Sequence, residues 1–431
     1  MIFSKKYSPI NIQNNFFYLG EKSFLIGILL LPSALPIGGF FLLSSIVISF
    51  YKNNKNLIKN KWNIIFLISS LLIVLSTLYN CFFDLSPVLQ NIDKSIILFN
   101  LFNWVPIYIA FLAFQIYLKS EKQRVLFQKF LIAGTIPVLI SCIMQKFLNI
   151  YGPFETLFGT IVWFNYNHGF DAVSGLFNNP NYLGTWLTIC LPFSITLLRI
   201  EKVKSHKFFL FILNLLIIYF AIFTNSRNAF FGIFISLIIV FGIRKFIYFT
   251  LLIFFGIFIF NFFLPYLLDL DNSHLFYKLT NINPNLNYPR IYIWKNAINL
   301  ISQRPLLGWG PGTFPYVTSY LPPFQNYQHT HNFIIEIAFN FGIPISLIVF
   351  TNLTTLINAA FIKVKNLNNT LNEYKIYISF IASFTVFLVS QLNDITYYDG
   401  KISIIFSVLL ACLKNIIDEE KSNISKFIDN E

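Results

Sequence analysis

Apolar and polar residues fall into long blocks along this chain. Unbroken apolar runs fill 62–83, 97–118, 125–148, 181–198, 207–224, 228–243, 246–267, 343–362, 376–392 and 402–416. Most approach the roughly 20 residues that carry an α-helix across the bilayer core. The stretch 23–51 is too long for one pass at about 1.5 Å per residue. Pro32, Pro36 and the Gly38–Gly39 pair interrupt it, so it predicts two short helices. The pattern therefore predicts an all-α polytopic membrane protein of about 12 transmembrane helices.

The cations orient this layout. With two passes in 23–51, 23 of the 31 lysines and arginines fall on one side. They lie in the N-terminal tail and in loops 52–61, 119–129, 199–207, 244–245 and 363–375, with a last group after 414. Such a bias marks the cytoplasmic side. Both termini are then expected in the cytoplasm, with Met1–Lys22 as a tail without a cleavable signal. The polar stretch from Asp269 to Asn332 faces out. Residues 1–168 read as an N-terminal bundle of about five passes that runs into an outer loop. Residues 169–416 read as a core with a long outer loop at 268–331, and 417–431 as a cytoplasmic tail.

Composition agrees: 56% of residues are hydrophobic and 11% charged, with a mean hydropathy of +0.64. The net charge of +13 is mostly a topology signal with some attraction to anionic lipid, so no nucleic-acid partner is expected. Cys81, Cys142, Cys190 and Cys412 stand apart in apolar runs, read as buried hydrophobes with no metal spacing.

The candidate chemistry lies in three outward segments. The first ends GLFNNPNYLG, with Asn178, Asn179 and Asn181 just before a helix. The second is the tight turn Thr224-Asn225-Ser226-Arg227, whose arginine sits on the side that cations avoid. The third begins with a short amphipathic helix at Arg290, where Arg290 and Trp294 share a face. It continues through Gly308-Trp309-Gly310-Pro311-Gly312 to His329-Thr330-His331-Asn332. Two outward arginines suit a diphosphate, whose oxygens a guanidinium binds in a fork. The glycine turn lacks the Lys-Ser/Thr of a phosphate loop and is read as backbone shaping. A histidine at a helix start suits a general base. His-x-His also suits a metal, but no third ligand has convincing spacing, so neither metal nor cofactor is expected. Gly342 and Pro344 interrupt the next apolar run, which makes 332–341 a half-helix packed on the site. Asp394 and Asp399 lie in the last outer loop, where they could complete the cavity, but solvated loop carboxylates are the favoured reading.

At FNNPNYLG, TNSR, PRIYIW, PLLGWGPGTF and HTHNFIIEIAFNFG the chain resembles the O-antigen ligase family, which shares a core with the O-antigen polymerases. The resemblance covers roughly 170–415. It implies a fold like the GT-C membrane glycosyltransferases. It implies transfer of a glycan from an undecaprenyl-diphosphate carrier to an acceptor hydroxyl, on the outer face of the bacterial inner membrane. The acceptor would be lipid A core, a protein or another lipid-linked glycan. Carried over, Arg227 and Arg290 bind the donor diphosphate, and His331 is the catalytic histidine of a metal-free, inverting transfer. His329, Asn332, Asn181 and Asn178 are further substrate-binding candidates.

A competing reading is a transporter, for example one related to bicarbonate carriers. Twelve passes suit it, but the sequence has no repeated halves and no charge at mid-membrane.

Overall fold

A computed structural model describes residues 9–53, 59–84, 86–156, 161–163, 172–248, 289–318, 327–368 and 370–419. Helices α1 (Pro9–Leu30), α2 (Leu35–Asn53) and α3 (Lys61–Phe82) open the chain. The short α4 (Pro87–Gln90) leads to α5 (Lys94–Asn100) and α6 (Val105–Phe114), which follow one another through a 3-10 turn as a single crossing. Next come α7 (Glu121–Leu148), α8 (Pro180–Ile200), α9 (Lys204–Phe223) and α10 (Arg227–Phe241). The later elements are α11 (Pro289–Gln303), α12 (Phe314–Thr318), α13 (Phe333–Phe341), α14 (Ile343–Lys365), α15 (Asn372–Ser390) and α16 (Gly400–Asp418). A hairpin pairs β1 (Phe154–Thr156) antiparallel with β2 (Ile161–Trp163).

Among the described residues nine helical spans are long and apolar enough to cross a membrane, so the protein is an all-α polytopic membrane protein. Two more expected passes are helical but fall short of that measure. α10 has 15 residues and ends at Gly242 (φ +85°), after which 243–248 are helical again. α1 carries the polar stretch that the sequence assigns to a tail. Its helix starts at Pro9, not near residue 23: proline fits the first turn, and no strong breaker follows before Leu30. The expected pass at 246–267 lies outside the described residues beyond 248, as do 268–288, 319–326 and 420–431.

The break in 23–51 falls at Leu31–Ala34, beside Pro32. The glycines of this region serve helix approach: a Cβ on Gly27 or Gly38 would come 3.0 Å from the other's carbonyl oxygen. Small residues let membrane helices pack this closely. α8 is the central helix, with 83% of its span buried, packed by α7, α9, α10 and α15.

Loops sort to two ends of the bundle. At one end Val173 N–H donates to Phe223 O (3.0 Å), Asn228 Nδ2 to Ser390 O (3.1 Å) and Phe333 N–H to Gln391 O (2.9 Å). At the other, Asn60 Nδ2 donates to Asp418 Oδ2 (2.6 Å), Gln123 Nε2 to Glu21 Oε1 (2.9 Å) and Arg199 Nη1 to Val240 O (3.0 Å). The first end holds the histidine-bearing segment; the second holds the lysine-rich loops.

The lysine-rich end is closed by a buried clasp. Ser120 and Gln123 form a capping box that starts α7, which brings Arg124 inward one residue later. Arg124 is fully buried. It donates to Leu118 O (3.0 Å), Lys119 O (2.9 Å) and Glu419 Oε2 (2.8 Å). Tyr377 reaches the same carboxylate oxygen. Arg124→Ala leaves two carbonyls without their donor and opens a cavity. It should destabilise the fold by about 2–4 kcal/mol, read as a lower unfolding temperature in detergent. An unchanged melting curve would remove the clasp from the account.

Candidate active site at the histidine-bearing end

The site is built on a short half-helix, α13, as the Gly342–Pro344 interruption predicts. Asn332 caps it: its Oδ1 accepts from Ile334 N–H (3.0 Å) and Ile335 N–H (3.1 Å), satisfying donors that a helix start leaves open. Its Nδ2 donates to Leu392 O (2.9 Å). The amide of this candidate binding residue is thus committed to the fold, where it pins the α15–α16 loop beside the turn.

Ahead of the cap, His331 takes a left-handed conformation (φ +56°), which costs a non-glycine residue about 1–2 kcal/mol. The preceding peptide unit is anchored on all sides. Thr330 N–H donates to Glu336 Oε2 (2.9 Å) and Thr330 O accepts from Trp294 Nε1 (2.9 Å). Thr330 Oγ1 donates to Asn332 O (3.0 Å). Glu336 is buried, and its other oxygen accepts from Tyr398 Oη (2.7 Å) and Asn340 Nδ2 (3.3 Å). These anchors hold the strained turn in one shape.

The glycine turn seats the long segment on the far end of α13. Trp309 N–H donates to Phe339 O (2.7 Å) and Gly310 N–H to Asn340 O (2.9 Å), so the turn satisfies carbonyls at the C-terminal end of the half-helix. Gly308, Gly310 and Gly312 all have positive φ, and a Cβ on Gly308 would lie 2.5 Å from Phe339 O. The backbone-shaping role is thereby given its contacts. Arg304, paired with Asp84 and 3.2 Å from Asn80 Oδ1, ties the same segment to α3.

The centre of the site is a group that the sequence reading placed in solvent. Asp394 has only 5% of its side chain exposed. Oδ1 lies 2.8 Å from His331 Nδ1 and accepts Ile395 N–H at 3.0 Å. Oδ2 accepts Asn181 Nδ2 at 2.8 Å and stands 4.0 Å from Arg290 Nη2. Burial alone would raise its pKa. The hydrogen bond and charge of His331, with Arg290 and His329, reverse this and hold the carboxyl below its ordinary value. Asp399 also departs from the expected solvated carboxylate. It caps α16 through Lys401 N–H (2.9 Å) and Ile402 N–H (3.3 Å), and burial pushes its pKa up.

His331, Arg290, Asn181 and His329 therefore converge on one carboxylate. His331 is 29% exposed and Arg290 34%, so both reach the surface beside a buried anion. The ring of His329 is 4.2 Å from that of His331, and its Nδ1 accepts His331 N–H (3.3 Å). Arg227 starts α10 with an exposed side chain and no ion pair among the described residues; Asn228 beside it holds α10 to the end of α15. Asn178 is exposed and has no described contact with the cluster. The neighbouring Asn179 caps α8, accepting Asn181 N–H at 2.8 Å. The sequence favours a solvated Asp394, with a place in the cavity as the alternative that its burial supports, and does not reveal the anchoring by Glu336 and Trp294. An acid among apolar residues was the signal for Glu336, whereas Asp394 is remote from His331 along the chain and gave no local signal.

The third ligand absent from the sequence spacing also emerges here. Ligand atoms of His329, His331 and Asp394 lie within 4.8 Å of one another, close enough to hold a cation. In this arrangement His331 Nδ1 and His329 Nδ1 are already in hydrogen bonds.

Burial, then the His331 charge, lower the pKa of His329. A base with a depressed folded pKa contributes stability that is present above its unfolded pKa and lost as pH falls through the folded one. Stability should thus decline as pH drops below about 6.5. His329→Gln should flatten that limb in melting curves recorded between neutral and acidic pH; an unaltered limb would assign it to another group.

A search of the curated proteins returns no match. Residues 212–350, from α9 into α14, match the family model described as O-antigen ligase. The match takes in Arg227, Arg290, His329 and His331 and stops short of Asp394. Residues 212–350 are thus similar to the O-antigen ligase family, and the apolar helices make the protein a multi-pass membrane protein.

Proposed function

We propose that the protein transfers a glycan from an undecaprenyl-diphosphate carrier to an acceptor hydroxyl, with His331 as general base and Asp394 as the residue that orients it. The observation that carries this reading is the 2.8 Å contact between His331 Nδ1 and the buried Asp394 carboxylate. A carboxylate there favours the proton on Nδ1 and leaves Nε2 free to accept another. The acceptor oxygen bonds to the anomeric carbon as the carbon–oxygen bond to the diphosphate breaks. The acceptor proton passes to His331 Nε2, and the charge of the imidazolium is balanced by Asp394. A single displacement of this kind inverts the anomeric centre. The lipid diphosphate departs with its negative charge on Arg290 and Arg227, as guanidinium groups stabilise phosphoryl oxygens. Asn181, His329 and Asn178 are further groups for substrate contact. The lysine bias supports a periplasmic position for this end and cytoplasmic termini. The acceptor is a glycan or lipid A core.

Purified protein incubated with undecaprenyl-diphosphate glycan and an acceptor tests this reading. Arg290→Ala and Arg227→Ala should each lower donor turnover about 10²-fold, the worth of one charge-stabilising group in a transition state. A chelator should leave the rate unchanged. Full transfer by both arginine variants would reject the diphosphate assignment. Chelator-sensitive transfer restored by a divalent cation would move His329, His331 and Asp394 to a metal site. Solute uptake into proteoliposomes without any lipid-linked sugar would favour the transporter.

A further inference from the structure

At the end opposite Asp394, a cavity of about 460 Å³ opens between α7, α8 and α9. Such a volume lies within the range of about 300–1,000 Å³ typical of small-molecule sites. Its origin is a splay between α7 and α9. Toward the histidine-bearing end the two helices touch: the Phe147 and Tyr219 rings stack at 6.3 Å, and Lys146 Nζ lies 4.8 Å over the Phe223 ring. Toward the lysine-rich end they part, and the gap is walled by Ile132, Ala133 and Ile136 of α7, Leu197 of α8 and Leu210 and Leu213 of α9.

The rim differs from the wall. Lys129 and His206 reach it from α7 and α9, with Glu201 and Asn372 beside them. Lys129 is exposed, His206 is 69% exposed, and neither has a hydrogen bond to another side chain among the described residues beyond the 4.0 Å approach of His206 Nδ1 to Glu201 Oε2. Glu201 Oε1 is occupied by Lys202 N–H (2.8 Å) and Val203 N–H (2.9 Å), which fix the α8–α9 turn. Lys202, Lys204 and Lys207 stand exposed nearby, in that turn and at the start of α9, so the surface around the rim is basic on balance.

A slot with apolar walls that opens sideways between membrane helices, under a basic rim, matches one ligand chemistry: a phosphate headgroup with an acyl chain. We infer that this crevice binds an anionic phospholipid of the leaflet at the lysine-rich end, with a chain between α7 and α9 and the phosphate at Lys129 and His206. Basic pockets between membrane helices on the cytoplasmic side hold anionic headgroups in this way. The crevice is at the other end of the bundle from the Asp394 cluster, so its lipid is distinct from the glycan donor. The inference stands apart from the transfer chemistry.

Native mass spectrometry of the purified full chain in detergent tests it, with phosphatidylglycerol, phosphatidylcholine of the same chains, and inorganic phosphate as separate probes. Phosphatidylglycerol should be retained at collision energies that strip phosphatidylcholine. Lys129→Ala should lower its occupancy about fivefold, the contribution of one basic side chain at an anionic lipid surface. Ala133→Phe, which fills the slot from an exposed wall position, should abolish retention. Should Ala133→Phe fail to give a monodisperse protein, His206→Glu provides the second variant, with a loss at least as large as that of Lys129→Ala. Equal retention of both lipids would overturn the inference. So would phosphatidylglycerol occupancy unchanged by the rim variants, loss at the rim with none on filling the slot, or displacement of the lipid by inorganic phosphate.

Discussion

Alanine at His331 is expected to slow glycan transfer about 10²- to 10⁴-fold, the usual contribution of a placed general base. The deficit should appear in kcat more than in the KM for the lipid donor, because the arginines that would hold the diphosphate remain. The variant should still fold. His331 is 29% exposed, and Asp394 keeps Asn181 Nδ2 and Ile395 N–H as donors. Loss of the imidazole also relieves no packing, since the turn is held through the Thr330 backbone. Imidazole added to the assay should restore part of the rate, because the missing group is a base and its pocket is open. A decrease of less than tenfold, or an equal effect on KM alone, would remove His331 from the chemical step.

The second large effect is expected at Asp394. Asp394→Asn keeps the shape but replaces a carboxylate oxygen with an NH2 group. That group would face a donor, either Asn181 Nδ2 or His331 Nδ1–H, and the imidazolium formed during transfer would lose its counter-charge. The rate should fall about 10²- to 10⁴-fold, as for other orienting carboxylates behind a catalytic histidine, again with little change in donor KM. A second readout separates this from a general structural role. The folded-state pKa of Asp394 is lowered, so its carboxylate contributes stability that is present above the ordinary carboxylate range and lost as pH falls through the folded value. Asp394→Asn should therefore lose that acid-dependent part of the melting curve together with activity. A variant of normal activity that merely melts earlier would make Asp394 a structural group only.

Local features were legible from the residues themselves. Apolar runs of about 20 residues announce membrane helices, because spanning is a property of one segment. The short helix at Arg290, the half-helix before Gly342 and the stiff glycine turn likewise follow from residues within a few positions. Where the reading changed, the deciding contact was distant in sequence. Asn332, read as a substrate group, also serves as a helix cap that grips Leu392, a role its position in the sequence alone did not reveal. Asp394 looked solvated and is buried beneath His331. The start of α1 looked like a tail because hydropathy undercounts a helix that mixes polar residues with aromatic ones.

By itself, then, the sequence determined the membrane class, most of the crossings and the set of loops that carry polar chemistry, since these depend on composition over short windows and on the placement of charge. Which loops meet was decided only by the tertiary structure. Asn181, Arg290 and His331 come from three separate segments, all well before Asp394 in the chain, and their convergence depends on how α8, α11, α13 and α15 pack. Burial of the carboxylate is a collective result of that packing: it brings an ordinary loop aspartate into hydrogen-bond contact with a histidine.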